Sequence, residues 1–351
     1  MTAEEKIRAM PKAELHRHLE GCVRVGTVID LARKNNLRLP TFDPAGLDRL
    51  YKLRAPGASL AEVLGRFELA QASFPSYEAV ERITFEALED AYKKENIRLL
   101  ELRYSPEFML KKAGLDWQKA QDVINSTIVK FEKSSNMVCG VILIASRSYG
   151  VKSAEKTMEF ALKNKRSVIG FDLADSEADY PSALYKEAAK KLHAAGLPLT
   201  VHSGEEGHFS QVGDTIRALK PRRIGHGVKA AEDASGRTVG LIKSSGITVE
   251  TNPWSNYLTR AVALIEAHPL KNFIRAGVKC TIGADDPEIL DTHLNKEYEL
   301  ALEKMGLTFE DIHYTLKCAA EGSFLPADKK QQAAKELGFV LSQGVEPRRE
   351  I

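Results

Sequence analysis

Short, near-continuous apolar runs recur along the chain, separated by longer stretches whose apolar residues return every three or four positions. The runs are ELHRH (14–18), IRLLELRYS (97–105), VCGVILIAS (138–146), SVIGFDLA (167–174), LPLTVHS (197–203), RRIGHG (222–227), GITVET (246–251) and VKCTIGA (278–284). Aliphatic and β-branched runs with little polar alternation are the habit of strands covered on both faces, as in a parallel sheet. The intervening stretches carry helical spacing. YEAVERITFEALEDAYKKEN places Val80, Ile83, Ala87 and Leu88 on one stripe, and KEAAKKLHAAG ends on Gly196, a C-cap residue. Eight strand–helix units over 351 residues predict the α/β class and a (β/α)8 TIM barrel, one domain spanning 1–351. An open doubly wound sheet is the other arrangement of such units, but no Gly-rich phosphate loop follows any strand.

One segment breaks the alternation. Residues 24–96 are too long for a single crossover helix and contain SLAEVLGRFELAQASF, with Leu60, Val63, Leu64 and Phe67 at helical spacing. They predict a helical insertion after the first strand, packed on the barrel wall or serving as a lid over its mouth. Further helices are expected at about 308–345. The chain shows no internal repeat, low-complexity tract or interdomain linker.

Charge narrows the partners. Fifty basic against 48 acidic residues give a net charge of +2, which offers no support for a nucleic-acid or anionic-membrane partner. No apolar run approaches the roughly 18 residues of a membrane span, and MTAEEKIRAM lacks the apolar centre of a signal peptide. Cys22, Cys139, Cys280 and Cys318 are far apart with no CxxC pair, as expected of reduced thiols in a cytoplasmic protein.

Polar residues with chemistry gather at one end of the predicted strands. His16 and His18 close the first, His202 the fifth, His226 the sixth, and Asp285 with Asp286 the eighth. In a barrel those ends form one ring around the active-site mouth. A single histidine is commonly structural; several brought to one rim by independent strands are not. Three imidazoles and a carboxylate suit a Zn²⁺-like ion with an open position for water. There is no HExxH helix, no GxSxG elbow and no H-x-E…P-C-x-x-C signature. Lys163 and Lys165 precede the fourth strand, on the wrong rim to bridge a second metal, so one ion is expected.

With these residues in place, PKAELHRHLEG, TVHSGEEG, RIGHGV, TNPWSNYLT and TIGADDP, in this order, resemble the adenosine deaminase family of metal-dependent amidohydrolases. The likeness runs from about residue 11 to SFLPADKK near 323–330. HxH alone is a weak signal, whereas the five motifs together are highly specific. The resemblance implies one Zn²⁺ per chain and hydrolytic deamination at C6 of a purine nucleoside, adenosine or 2′-deoxyadenosine, giving inosine or 2′-deoxyinosine and ammonia. By position, His16, His18, His202 and Asp285 match the metal ligands. Glu205 matches the acid that protonates N1, His226 the residue that orients the attacking water, and Asp286 the residue that hydrogen-bonds N7. His18 is also assigned to substrate binding and Asp285 to catalysis. Glu20 stands at the sugar's 5′ side, and Leu60, Val63, Leu64 and Phe67 match an apolar roof.

Two positions depart from the family pattern. Asp175 stands where many relatives carry a glycine whose backbone N–H faces N3 of the purine. Asp tolerates unusual φ/ψ better than most residues, which keeps that donor available. Glu20 is one methylene longer than the Asp common at its position. Alternatives are deamination of adenine or of a 5′-substituted adenosine such as 6-aminodeoxyfutalosine, or a catalytically silent nucleoside-binding protein. The last predicts losses among the ligands or at the acid, and none is seen.

Overall fold

The computed structural model describes residues 1–57 and 66–341. Eight strands, β1 (Lys12–His18), β2 (Ile97–Tyr104), β3 (Val138–Ser146), β4 (Gly170–Ala174), β5 (Leu199–Ser203), β6 (Arg223–His226), β7 (Thr248–Thr251) and β8 (Lys279–Ile282), pair in sequence order. All seven pairings are parallel. The ring is joined between its ends by a parallel bridge at Arg17 and Asp285, where the His18 N–H donates to the Asp285 carbonyl at 2.9 Å. The architecture is the expected (β/α)8 barrel.

Every expected strand is present, shortened where the helix before it claims its first residues. In SVIGFDLA, the backbone N–H groups of Ser167 and Val168 turn back to the carbonyl of Asn164, so β4 begins only at Gly170. Gly196 follows the helix Lys186–Ala194 at φ +73°, the left-handed conformation that ends a helix and feeds β5. The stripe Val80, Ile83, Ala87 and Leu88 of helix Tyr77–Lys93 is buried, as its spacing predicts.

Between β1 and β2 the helices Val25–Lys34, Pro44–Tyr51 and Phe67–Ala72 precede that crossover helix. Leu60, Val63 and Leu64 lie outside the described residues; Phe67 opens its helix and meets Phe108 edge-on at 6.4 Å. After β8, helix Phe309–Gly322 packs against both β8 and β1, covering the seam, and Ala327–Glu336 packs on β2 and β3. No helix among the described residues is long and apolar enough to cross a membrane.

The barrel interior is unusually charged. Glu14, Glu101, Arg103, Asp172, Arg223 and Glu250 all sit on strands with at most 1% exposure. Such groups persist inside only when paired, and these are. Arg223 donates to Glu101 at 2.6 Å and to Glu250 at 2.5 Å, while Arg103 donates to Asp172 and Glu250, each at 2.7 Å.

Candidate active site

The sequence-predicted polar residues do converge at the C-terminal rim. His16, His18, His202 and Asp285 each offer one donor atom, and these atoms lie within 4.8 Å of one another. Nε2 of His16 and Nε2 of His18 are 3.4 Å apart, and each is 3.2 Å from Oδ1 of Asp285. Ligands on a tetrahedral ion with bonds of about 2.0–2.1 Å are separated by roughly 3.3 Å. The spacing therefore fits one shared ion.

The tautomers fit as well. Nδ1 of His16 faces Oε2 of Glu250 at 2.7 Å, and Nδ1 of His202 faces Asp172 at 3.0 Å. A carboxylate fixing the Nδ1–H leaves the Nε2 lone pair free for a metal. Burial alone would raise the Glu250 carboxyl, but Arg103 and Arg223 hold it well below the usual carboxylate range, so it stays an acceptor. Arg103 thus supports two histidines at once, through Asp172 and through Glu250.

Glu205 lies beside this cluster, its Oε2 3.5 Å from Nε2 of His226. It stands in the loop before helix Ser210–Leu219 and not in that helix's first turn. Burial, then the carboxylates of Asp285 and Glu177, push Glu205 well above the ordinary range, which favours its protonated form. Glu177 also builds the loop. Its Oε1 accepts the backbone N–H groups of Gly204, Glu205 and Glu206 at 2.7, 3.0 and 3.1 Å, and its Oε2 accepts from the Ser203 hydroxyl at 2.9 Å.

A relay sets the protonation of His226. The Leu270 N–H donates to Nδ1 of His268 (3.2 Å), leaving Nε2–H of His268 to donate to Oδ1 of Asn256 (3.1 Å). The amide of Asn256 then donates to Nδ1 of His226 at 2.9 Å. Burial lowers His268 to about 3 and His226 well below its usual value, so both rings are neutral. Neutral His226 therefore carries its proton on Nε2, facing Glu205 and Asp285.

Asp286 is pushed well above its usual range by burial and by Asp285, Glu20 and Glu205. A turn follows it and the next helix starts only at Leu294, so its carboxyl is no helix cap. A Cβ on Gly21 would fall 2.1 Å from Oδ1 of Asp286, which is why the HLEG motif must end in glycine. Glu20 is 3% exposed; its Oε1 accepts the Ser105 N–H at 2.7 Å, and its Oε2 has no hydrogen-bond partner among the described residues. Burial lifts Glu20 to about 7.

Asp175 keeps the glycine-like backbone, with φ +82°, and His226 and Asp285 share the left-handed region at +63° and +62°. These residues, with Phe67 and Phe108, line one cavity of about 460 Å³ that reaches His18, His202, Glu205 and Asp286. The sequence reading missed Asp172, Glu177, Glu250, Asn256, His268 and Arg103. For two of them a signal existed: a single charge inside an otherwise uncharged strand, Asp172 in FDLA and Glu250 in ITVET.

Residues 11–338 match the family model described as adenosine deaminase. A protein named adenosine deaminase from Pseudoalteromonas translucida is 33% identical over 92% of this chain and 96% of its own. Among solved structures, an adenine deaminase from Arthrobacter aurescens shares the fold at a TM-score of 0.86 and 22% identity, over 94% of this chain and 98% of that one. The N6-methyl-AMP deaminase of Arabidopsis thaliana superposes at 0.81 with 25% identity, over 95% and 98%. Matched in sequence over nearly its whole length and in fold throughout the barrel, the chain belongs to the adenosine deaminase family.

Proposed function

We propose that the protein hydrolytically deaminates adenosine and 2′-deoxyadenosine at C6, giving inosine or 2′-deoxyinosine and ammonia, with one zinc ion per chain held by His16, His18, His202 and Asp285. One observation carries this reading: the four-donor cluster, through His18, His202 and Asp285, and the buried carboxyl of Glu205 meet at the same cavity. Zinc held there would supply an acidified water, its pKa lowered from that of bulk water to about 7.

The chain's own residues do the rest. Attack at C6 breaks ring aromaticity and drives electron density onto N1, where Glu205 delivers its proton. His226, with its proton on Nε2, donates toward the attacking oxygen and orients it. Asp286, protonated, donates to N7, an acceptor. The backbone N–H of Asp175 meets N3. Glu20 offers its free Oε2 to a sugar hydroxyl, and Phe67 and Phe108 cover the base. Relatives named adenosine deaminase support the nucleoside as substrate. The four buried, unbridged cysteines support a cytoplasmic setting.

A second reading is adenine or a 5′-substituted adenosine such as 6-aminodeoxyfutalosine, because Glu20 is one methylene longer than the Asp common at its position and its reach toward the sugar differs accordingly. The test is kcat/KM for adenosine, 2′-deoxyadenosine, adenine, 5′-methylthioadenosine and 6-aminodeoxyfutalosine. Adenosine and its deoxy form should lead. Adenine or a 5′-extended compound ahead by about tenfold, the scale of a lost pocket contact, overturns the choice of substrate and leaves the chemistry intact.

A further inference from the structure

At the mouth of the same cavity, Ser146 ends β3, Ser148 follows it and Asp175 follows β4. The Ser146 hydroxyl donates to Oδ2 of Asp175 at 2.6 Å, and the Ser148 hydroxyl donates to the same oxygen. Oδ1 of Asp175 accepts the Ser176 N–H at 2.9 Å. The two hydroxyls are 3.0 Å apart. A serine hydroxyl has one proton, and here both protons are directed at the carboxylate. What these side chains leave for a ligand is lone pairs, on the carboxylate and on both hydroxyl oxygens.

The rest of the cavity repeats that polarity. Beyond the residues assigned to the metal and the purine edge, Glu20 and Asp175 line it, with no lysine or arginine among the described lining residues. Tyr149 lines the same cavity as Ser146, Ser148, Asp175 and Glu20. Lys111, stacked on the Tyr149 ring at 5.0 Å, is already paired with Glu107 at 3.7 Å. An anion at the mouth would meet acceptors and negative charge, whereas a hydroxyl would meet a partner.

Building on the deaminase reading, we infer that Ser146, Ser148 and Asp175 form a specificity-determining station. It accepts an uncharged, hydroxyl-bearing substituent of the substrate and rejects a phosphoryl group, so the enzyme takes nucleosides and refuses nucleotides. The left-handed backbone at Asp175 makes Asp175→Gly a structurally quiet deletion of the side chain.

The experiment compares adenosine with AMP on the zinc-loaded full chain, in wild type, Asp175→Gly and Asp175→Asn. Like-charge juxtaposition is costly, so wild type should use AMP at least about 100-fold less well in kcat/KM. Both variants should narrow that gap by about tenfold or more, because each removes the negative charge. A gap unchanged in both variants, or wild type using AMP as well as adenosine, overturns the station. If wild type deaminates neither, the deaminase reading fails, and calorimetric binding of inosine and IMP decides the station separately. Inosine binding to wild type, with IMP binding only to Asp175→Gly, supports it; equal or absent binding of both overturns it.

Discussion

Oε2 of Glu250 lies 2.7 Å from Nδ1 of His16, deep in the barrel beneath the donor cluster. Because that oxygen also accepts from Arg103 at 2.7 Å, the carboxylate is held ionised and fixed in place. A tautomer chosen this way makes Nε2 of His16 a metal donor before any metal arrives. Glu250→Gln keeps the shape and removes the charge. Outer partners of this kind are worth about 10–100-fold in metal affinity. Chelator competition should show a loss of that size, together with a lower Tm, since Arg103 and Arg223 lose a buried counter-charge. Unchanged metal retention would remove Glu250 from the support of the site.

Elemental analysis should find close to one zinc per active chain, because the described residues offer one cluster of four donors. Two tightly held ions per chain would refute the single-ion assignment. Glu205→Gln should leave this content unchanged while lowering kcat beyond the roughly 10²–10⁴-fold typical of a general acid, since protonation at N1 also activates the ring. A near-normal kcat would mean that another group delivers the proton.

Much of this site is legible in the sequence. HRH on a strand, His202 and His226 at two later strand ends and DD after the last one are each placed by short, type-specific motifs, and the barrel topology then forces them together. The supporting shell was not legible in the same way. Nothing local in DSE says that Glu177 will gather three amides of a loop 27–29 residues onward, or that Asn256 will link two histidines. Those roles depend on register between strands and on loop paths, which sequence spacing does not encode. The roof residues Leu60 and Leu64 lie outside the described residues, so of that group Phe67 alone is placed against the cavity.

The relay through Asn256 has its own signature. Asn256→Leu fills similar space but leaves Nε2 of His268 without its acceptor and Nδ1 of His226 with only the longer contact from the Asn252 amide at 3.4 Å. The Nε2–H tautomer of His226 is then more weakly enforced. kcat should fall by about 10–100-fold, the cost of one misdirected catalytic donor being several kcal/mol at most, with KM and zinc content little changed. A rise in KM at constant kcat would place Asn256 in substrate binding and not in the relay.

A buried acid remote from the donor cluster should shape the stability profile. Glu297 is fully buried, accepting from Thr292 at 2.5 Å and from the Trp254 N–H at 2.9 Å, and burial lifts it to about 8 despite those bonds. Between the ordinary glutamate value of 4.5 and that folded value, the folded chain holds a proton that the unfolded chain has released. Stability from this group is therefore complete below the lower value and is lost as pH rises toward 8, at no more than about 1.4 kcal/mol per pH unit. Glu297→Gln should flatten this decline, read as urea midpoints at several pH values in that window. Parallel profiles for the two proteins would show that Glu297 is ionised in both states.

The sugar side of the cavity supplies the sharpest substrate test. Glu20 is buried, with one oxygen satisfied by the Ser105 N–H and the other left without a partner among the described residues. A nucleoside hydroxyl can supply the missing hydrogen bond; bare adenine cannot, and would leave a desolvated polar atom unpaired, at a cost of about 1–3 kcal/mol. Glu20→Ala removes both the contact and the penalty. It should lower kcat/KM for adenosine by about tenfold or more while leaving adenine unchanged or improved, because a site built to bond a hydroxyl discriminates by what it leaves unpaired. An equal loss for the two substrates would assign Glu20 to holding the β2 end through Ser105, and the choice between nucleoside and base would then rest on the insertion that contains Phe67.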